Sequence, residues 1–261
     1  MAEPQTIAGP FPARTNVAAG RAPRSDRHRR KVPDYTLEEM MPLGELQDKV
    51  SDDLRDVLKW QFREQGWYIP LDMLLRHPSV PTTPDLAPDV AVFVGVVRPD
   101  APAEPLTSWK INPPSFPPPT VVFEIASNHP WRYDLHLKAP IYAKMGVSEY
   151  YAFDPRPTAM RPREEREKPP LRGWSCAEGV AHEMQADQQG RMWSPALESF
   201  IVADQNYLRL RDASGARRLT GEEAERAAKE RALAGEEAER AAKERLAAKL
   251  RELGVDLESL L

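Results

Sequence analysis

The sequence has one cysteine, no long hydrophobic run and no excess of positive charge, and each absence excludes a class of protein. Cys176 alone can form neither an intramolecular disulfide nor a cysteine-rich zinc site, which fits the reducing environment of the cytoplasm. No stretch of about 18 apolar residues could cross a membrane, and no apolar segment follows the N-terminal charges as it does in a signal peptide. We therefore expect a soluble, cytoplasmic protein without a membrane partner.

The balance of charge limits how the protein could bind a polyanion. The formal net charge of the 261 residues is −4, so any anion-binding surface must be local. The clearest basic stretch is "RAPRSDRHRRK" (residues 21–31), which ends a segment rich in Pro, Ala, Gly and Arg. Residues 1–32 are predicted to be a disordered basic tail. A basic arm that contacts nucleic acid is the alternative for the same residues.

Two amphipathic helices are predicted inside an α/β domain that spans residues 33–217. Apolar residues three and four apart indicate the first helix over 50–62, with Ser51 or Asp52 near its start. The second covers residues 133–146, where Pro140 should kink or shorten it.

Strands of the same domain are predicted from β-branched and aromatic runs, which occupy residues 67–75, 87–97, 120–125 and 148–154. Eight prolines between residues 99 and 119 indicate a long surface loop, too rich in proline for any regular element. The chain from 156 to about 211 is predicted to contain turns and edge strands.

The C-terminal segment, residues 218–261, contains an internal repeat. The sequence "GEEAERAAKERALA" (221–234) is followed directly by "GEEAERAAKERLAA" (235–248), and fourteen residues make two heptads. Leucines then recur at spacings of four and three, at Leu246, Leu250, Leu253, Leu257 and Leu260. We predict a long charged helix whose last part resembles a coiled coil and supports a homodimer. A merely solvated helix is the alternative.

A glutamate in the middle of an apolar strand, Glu124 in "VVFEIAS", is the candidate for chemistry. Burying an unpaired carboxylate costs several kcal/mol or neutralises the group. Alternation places Glu124 on the face of its strand opposite Val121, Phe123 and Ile125, and pairing with the preceding strand could bring Asp89 near it. Two adjacent carboxylates repel unless they share a proton or a cation, and Mg²⁺ is the usual cation for oxygen ligands. Water bound to such an ion can attack a phosphodiester.

Lys138, on the following helix, could place an ammonium group beside the attacking water and the phosphate. Ordinary structural roles are open for all three residues. Asp89 could cap a turn, Glu124 could pair with a buried arginine, and Lys138 could pair with Asp134. His129 and His136 flank the predicted site and are weaker candidates for a metal. Ser127 lacks the sequence context of an acyl-transfer nucleophile.

Several separated segments occur in an order that resembles the Uma-type restriction endonuclease family of the PD-(D/E)XK superfamily. They are "PDVAVF" (88–93), "VVFEIAS" (121–127), "YDLHLKAPIYAKMGVSEYYAFDP" (133–155) and "LRLRD" (208–212) before the charged helix. The resemblance implies a restriction-endonuclease-like core, in which a central mixed β-sheet is flanked by helices. It also implies that Asp89 and Glu124 bind the metal and that Lys138 replaces the motif lysine, whose position holds Ala126.

Two hypotheses follow. The first is a Mg²⁺-dependent endonuclease, with Mn²⁺ as a substitute, that hydrolyses phosphodiester bonds in DNA through Asp89, Glu124 and Lys138. The second is a non-catalytic interaction protein that keeps the nuclease fold and oligomerises through its C-terminal helix. A retained pair of buried carboxylates favours the enzyme, because a retired site has no chemical reason to hold them together.

Overall fold

A six-stranded mixed β-sheet organises the residues that the computed structural model describes, which are 43–80, 86–97, 106–126, 137–161 and 163–253. With strands numbered along the chain, its spatial order is β1 (Trp67–Tyr68), β3 (Val90–Val97), β5 (Val121–Ile125), β6 (Glu149–Phe153), β7 (Leu171–Ala177) and β8 (Val180–Glu183). Only the β5–β6 pair is parallel in this sheet, and the other neighbours are antiparallel. The predicted central mixed sheet is confirmed.

Two smaller sheets and three α-helices complete the described architecture. The parallel pair is β2 (Leu74–Arg76) with β4 (Ser108–Lys110), and the antiparallel three-stranded sheet has β10 (Ser199–Asp204) between β11 (Tyr207–Arg211) and β9 (Met192–Ser194). The helices are α1 (Leu43–Gln61), α2 (Ala139–Lys144) and α3 (Gly221–Glu252), and short 3-10 turns lie at Thr158–Met160 and Arg163–Glu165. None of the described helices is long and apolar enough to span a bilayer.

Both faces of the central sheet are covered by apolar side chains. On β5, alternation sends Val121, Phe123 and Ile125 into a core shared with α1 and the three-stranded sheet. Val122 and Ala126 enter a second core that contains Trp109 and residues of α2. A strand covered on both faces reads as a nearly continuous apolar run, which is the pattern of this segment. Glu124 also faces the second core and is the charged residue in this otherwise apolar run.

The first helix differs from its predicted start. The apolar face is buried as expected, but the helix begins at Leu43, so neither Ser51 nor Asp52 is its N-cap. The Ser51 hydroxyl instead donates a hydrogen bond to the Gln47 carbonyl one turn earlier, a bond available to a serine inside a helix.

The predicted strand at 67–75 was wrong as a single element. Pro70 lies between β1 and β2, which belong to different sheets, because proline has no N–H to give to a continuous ladder. The proline-rich region also contains one regular element, β4, against expectation. β7 was not predicted either, although it pairs with β6 on one side and with β8 on the other.

The helix around Pro140 is short where it is described. Pro140 stands in the first turn of α2, directly after a π-helical turn at residues 137 and 138, and the earlier part of the predicted helix lies outside the described residues. After Lys144 the chain turns at Gly146, whose φ of 89° is a left-handed conformation that glycine adopts without strain. The predicted end of this helix at residue 146 is confirmed.

The C-terminal helix α3 is present, 32 residues long, and no side chain on it is buried. Thr220 and Glu223 form a capping box at its start: the Thr220 side chain accepts from the Glu223 N–H and the Glu223 side chain accepts from the Thr220 N–H. Leu246 and Leu253 are exposed, so the leucine seam has no partner within the described chain. Leu257, Leu260 and the predicted tail of residues 1–32 lie outside the described residues.

Candidate functional site

The two predicted carboxylates lie opposite each other on neighbouring strands. Val90 pairs with Phe123 in the antiparallel β3–β5 ladder, and extending this register by one residue places Asp89 opposite Glu124. A hydrogen bond closes the ladder at this point, because the Ile125 N–H donates to Oδ2 of Asp89 over 2.5 Å. The carboxylate of Asp89 thus accepts the N–H that a backbone carbonyl of a paired strand would accept, and this bond fixes its position beside the end of β5.

Asp89 is 6% exposed and receives a second hydrogen bond, from Nε2 of Gln47 to its Oδ1 over 2.5 Å. Burial raises the pKa of Asp89 to about 6, and the two hydrogen bonds and the charge of Lys138 oppose that rise. A carboxyl with such a pKa changes its charge near neutral pH. A cation bound beside it would favour its ionised form.

Glu124 is 4% exposed and lies between a cation and a hydroxyl. Nζ of Lys138 is 2.9 Å from its Oε2, and the Tyr142 hydroxyl donates to its Oε1 over 2.5 Å. Lys138 precedes the first residue of α2, and Tyr142 lies one turn later on the same helix, so the helix brings both donors to one carboxylate. The structure thus brings Asp89, Glu124 and Lys138 together.

Two residues of this group escaped the sequence analysis as functional residues. Tyr142 is fully buried, and its hydroxyl donates to Glu124. Burial and the nearby Glu124 charge raise the Tyr142 pKa well above its ordinary value, so the hydroxyl remains a donor. The spacing of four from Lys138 was the available signal. Gln47 was missed because the helix was predicted to begin after it.

The charges of this group fit a hard divalent cation. Two carboxylates lie here beside the ammonium of Lys138, and a carboxylate oxygen can accept more than one contact. Within the described ranges no three His, Cys, Asp or Glu side chains converge as a metal-binding group. Mg²⁺ commonly uses one or two carboxylates and completes its shell with water and substrate oxygens. Two carboxylates are thus a donor set that such an ion can use.

The structural alternatives are partly resolved by these contacts. Asp89 bonds across to β5 instead of only capping a local turn, and one cation beside Glu124 is the ammonium of Lys138. Asp134, the other proposed partner of Lys138, lies outside the described residues, and so do Ser127, His129 and His136.

A mixed sheet with flanking helices, and an acidic pair where β3 begins and β5 ends, fit a restriction-endonuclease-like core. The chain belongs to the Uma2 family, described as "Putative restriction endonuclease", which residues 21–196 match. This membership confirms the resemblance seen in the motifs and supports a nuclease function.

The fold is similar to a crystal structure from Anabaena variabilis ATCC 29413, titled as a "putative nuclease belonging to DUF820". The two chains are 12% identical, with a TM-score of 0.41, over 58% of this chain and 73% of the other. No curated protein matches the sequence significantly.

Proposed function

We propose that the protein is a Mg²⁺-dependent endonuclease that hydrolyses phosphodiester bonds in DNA, with Mn²⁺ able to replace Mg²⁺. One observation carries the proposal: Glu124 is held between Lys138 and Tyr142 at the point where Asp89 is locked to the same strand. Structural ion pairs rarely need a second buried carboxylate beside them, since the added charge is costly. Membership of a restriction endonuclease family supports the same chemistry.

The roles follow from the chemistry of the side chains. Asp89 and Glu124 would hold the metal through their carboxylate oxygens. A bound Mg²⁺ would supply a Lewis acid and a water of lowered pKa. Lys138 would stabilise negative charge on the attacking water and on the phosphate in the transition state, because its ammonium already lies beside Glu124. Gln47 and Tyr142 would fix the two carboxylates, whose orientation must be set before substrate arrives.

We also propose that the protein forms a homodimer through α3. At 1.5 Å per residue a helix of this length extends for about 48 Å. It exposes Leu246 and Leu253, which are seven residues apart and so lie on one face at the spacing of a coiled-coil seam. The non-catalytic hypothesis depends on this helix alone, whereas the nuclease hypothesis also explains the buried charges.

The test is a plasmid cleavage assay with purified wild type, Asp89→Ala and Glu124→Ala, in Mg²⁺, Mn²⁺ and EDTA. Asp56→Ala is the matched control, because this carboxylate is exposed on α1. We expect cleavage by wild type and Asp56→Ala in either metal, and none by the two site variants or in EDTA. Equal cleavage by all four proteins would overturn the site assignment. A wild type that neither cleaves DNA nor binds Mg²⁺ or Mn²⁺ would favour the non-catalytic protein.

A further inference from the structure

A row of paired residues extends from the acidic site across the central sheet. Glu124 pairs with Ala152 on β6, and Ala152 pairs with Arg172 on β7. Directly paired residues in neighbouring strands project to the same face of a sheet. One row on one face therefore contains Asp89, Glu124, Ala152 and Arg172. The two acids lie at one end of the row, the arginine lies at the other, and the methyl group of Ala152 lies between them.

The neighbours of Arg172 confirm this face. Leu171 packs in the core of the opposite face, whereas Trp174 packs with Tyr150 and Ala152 on the face of Glu124. The Arg172 guanidinium carbon lies 5.3 Å from the centroid of the Trp174 ring, as expected for residues two apart on one strand. The planar ring holds the arginine side chain against the sheet and limits its rotamers.

The guanidinium of Arg172 is held on one side and lacks an acceptor on the other. Nε donates to Oε1 of Glu183 over 2.7 Å, and Nη2 lies 2.6 Å from the same oxygen. Nη1 is buried and has no hydrogen-bond partner, one of only two such side-chain atoms among the described residues. The Arg172 side chain is 14% exposed and that of Glu183 is 45% exposed, so the pair lies at the rim of the covered face.

An unpaired buried N–H is unfavourable, and arginine satisfies such groups best with the oxygens of a carboxylate or a phosphate. Two strand spacings separate Glu124 from Arg172, about 10 Å between their backbones, a distance that the arginine side chain shortens. Ala152 between them is buried in the second core, so an anion that reaches both residues must extend along the end of the sheet where β5 and β6 finish and β7 begins. A nucleic acid strand has this property, because its phosphates repeat along the chain.

We propose that Arg172 is a phosphate-binding residue that contacts the nucleic acid backbone beside the bond cleaved at Asp89 and Glu124. This proposal rests on the proposed nuclease function for the identity of the strand. Glu183 orients the guanidinium and also competes with the phosphate for it. The two effects can be separated, because removing the carboxylate leaves the arginine stacked on Trp174.

The experiment compares Arg172→Gln, Arg172→Lys, Glu183→Gln and the control Arg191→Gln with wild type. Arg191 is a close match outside the site: it pairs with Asp187 over 2.8 Å and lies over the Phe200 ring at 4.2 Å. Affinity for a fluorescein-labelled DNA duplex is measured by anisotropy in EDTA over a range of salt concentrations. Cleavage is measured as separate kcat and KM values in Mg²⁺, and thermal unfolding confirms that each variant is folded.

We expect Arg172→Gln to raise Kd and KM about tenfold, because one charge-assisted bond to phosphate is lost. The slope of log K against the logarithm of the salt concentration should become shallower by about one. Arg172→Lys should fall between wild type and Arg172→Gln. Glu183→Gln should bind more tightly, and Arg191→Gln should match wild type. A merely structural role for Arg172 would change the unfolding midpoint without changing the salt dependence, and that result would overturn the proposal.

Failure of this proposal can be told apart from failure of the proposed function. Cleavage by wild type with the same KM in Arg172→Gln would overturn the phosphate site alone. Absence of cleavage by wild type, with binding still weakened in Arg172→Gln, would overturn the nuclease and support the phosphate site.

Discussion

Two buried glutamates on neighbouring strands have opposite surroundings. Glu149, the first residue of β6, is 5% exposed and faces the core beneath the three-stranded sheet. Its carboxylate accepts from the Ser194 hydroxyl over 2.5 Å, from the Ala196 N–H over 2.9 Å and from the Tyr151 hydroxyl over 3.1 Å. Glu124 lies on the other face, beside the ammonium of Lys138 and opposite a second carboxylate.

The difference separates a structural carboxylate from a candidate catalytic one. Donors from β9 and the turn that follows it tie Glu149 to the three-stranded sheet, and this satisfies its oxygens without any cation. Glu124 instead lies beside the ammonium of Lys138 and opposite a second carboxylate, and these groups come from different elements. Burial by itself therefore does not identify a functional acid. The charged groups beside a buried acid are what mark it as a candidate.

The largest expected effect is a difference in DNA cleavage between variants of the two glutamates. Glu124→Gln should lower metal-dependent DNA cleavage by about 10²- to 10³-fold, since one preorganised charge is lost at the reacting centre. Glu149→Gln should leave cleavage by the folded protein near wild type and lower the free energy of unfolding by about 1–3 kcal/mol, because a buried donor loses its charged acceptor. Cleavage rates and urea unfolding of both variants provide the measurement. Equal loss of cleavage in both variants would contradict the distinction.

Tyr142→Phe tests whether the neutral donor beside Glu124 contributes to function. Phenylalanine keeps the ring that packs against Tyr150 at a centroid distance of 5.2 Å, and it removes only the hydroxyl. Partners that orient a metal ligand typically contribute 10- to 100-fold, so we expect cleavage or Mn²⁺ affinity to fall by about that factor. The matched change is Tyr151→Phe, which removes a hydroxyl from Glu149 and should leave both quantities unchanged.

Acidification should weaken metal binding at Asp89. Because burial raises its pKa to about 6, the acid is protonated below that pH, and the apparent Mg²⁺ affinity should fall by about tenfold per pH unit there. For metal-free protein the sign is opposite: the stabilising contribution of protonated Asp89 is complete below the unfolded pKa of 3.8 and is lost as pH rises through about 6. Calorimetric titration with Mg²⁺ and urea unfolding, both at several pH values, measure these changes. Asp89→Asn should remove this pH dependence of stability, and its persistence in that variant would assign the titration to another group.

The smallest expected effect on catalysis is that of the C-terminal helix. Truncation after Leu219 removes α3, which contributes no side chain to the acidic site, so the cleavage chemistry should remain. If the leucine seam forms a dimer, the mass measured by light scattering should halve, apart from the deleted residues. An unchanged association state would leave α3 with another role.

Parts of the site could be predicted and parts could not. Alternation in "VVFEIAS" placed Glu124 on its face, and the resemblance identified Asp89 and Lys138 as its partners. Gln47 could not be predicted, because its relevance depends on how α1 docks against the sheet, 42 residues away along the chain. Arg172 is a similar case, since β7 reaches the row only through pairing with β6. Spacing along a chain carries no information about such long-range contacts.

The sequence by itself determined the periodic features: the amphipathic face of α1, the alternation of β5, the charged repeat of α3 and the turn at Gly146. Each depends on residues a few positions apart, which local backbone geometry places together. Only the tertiary structure decided which buried carboxylate meets a second carboxylate and a cation, and which meets neutral donors. That outcome depends on strand register and helix docking, which are set by the packing of both cores and not by any one segment.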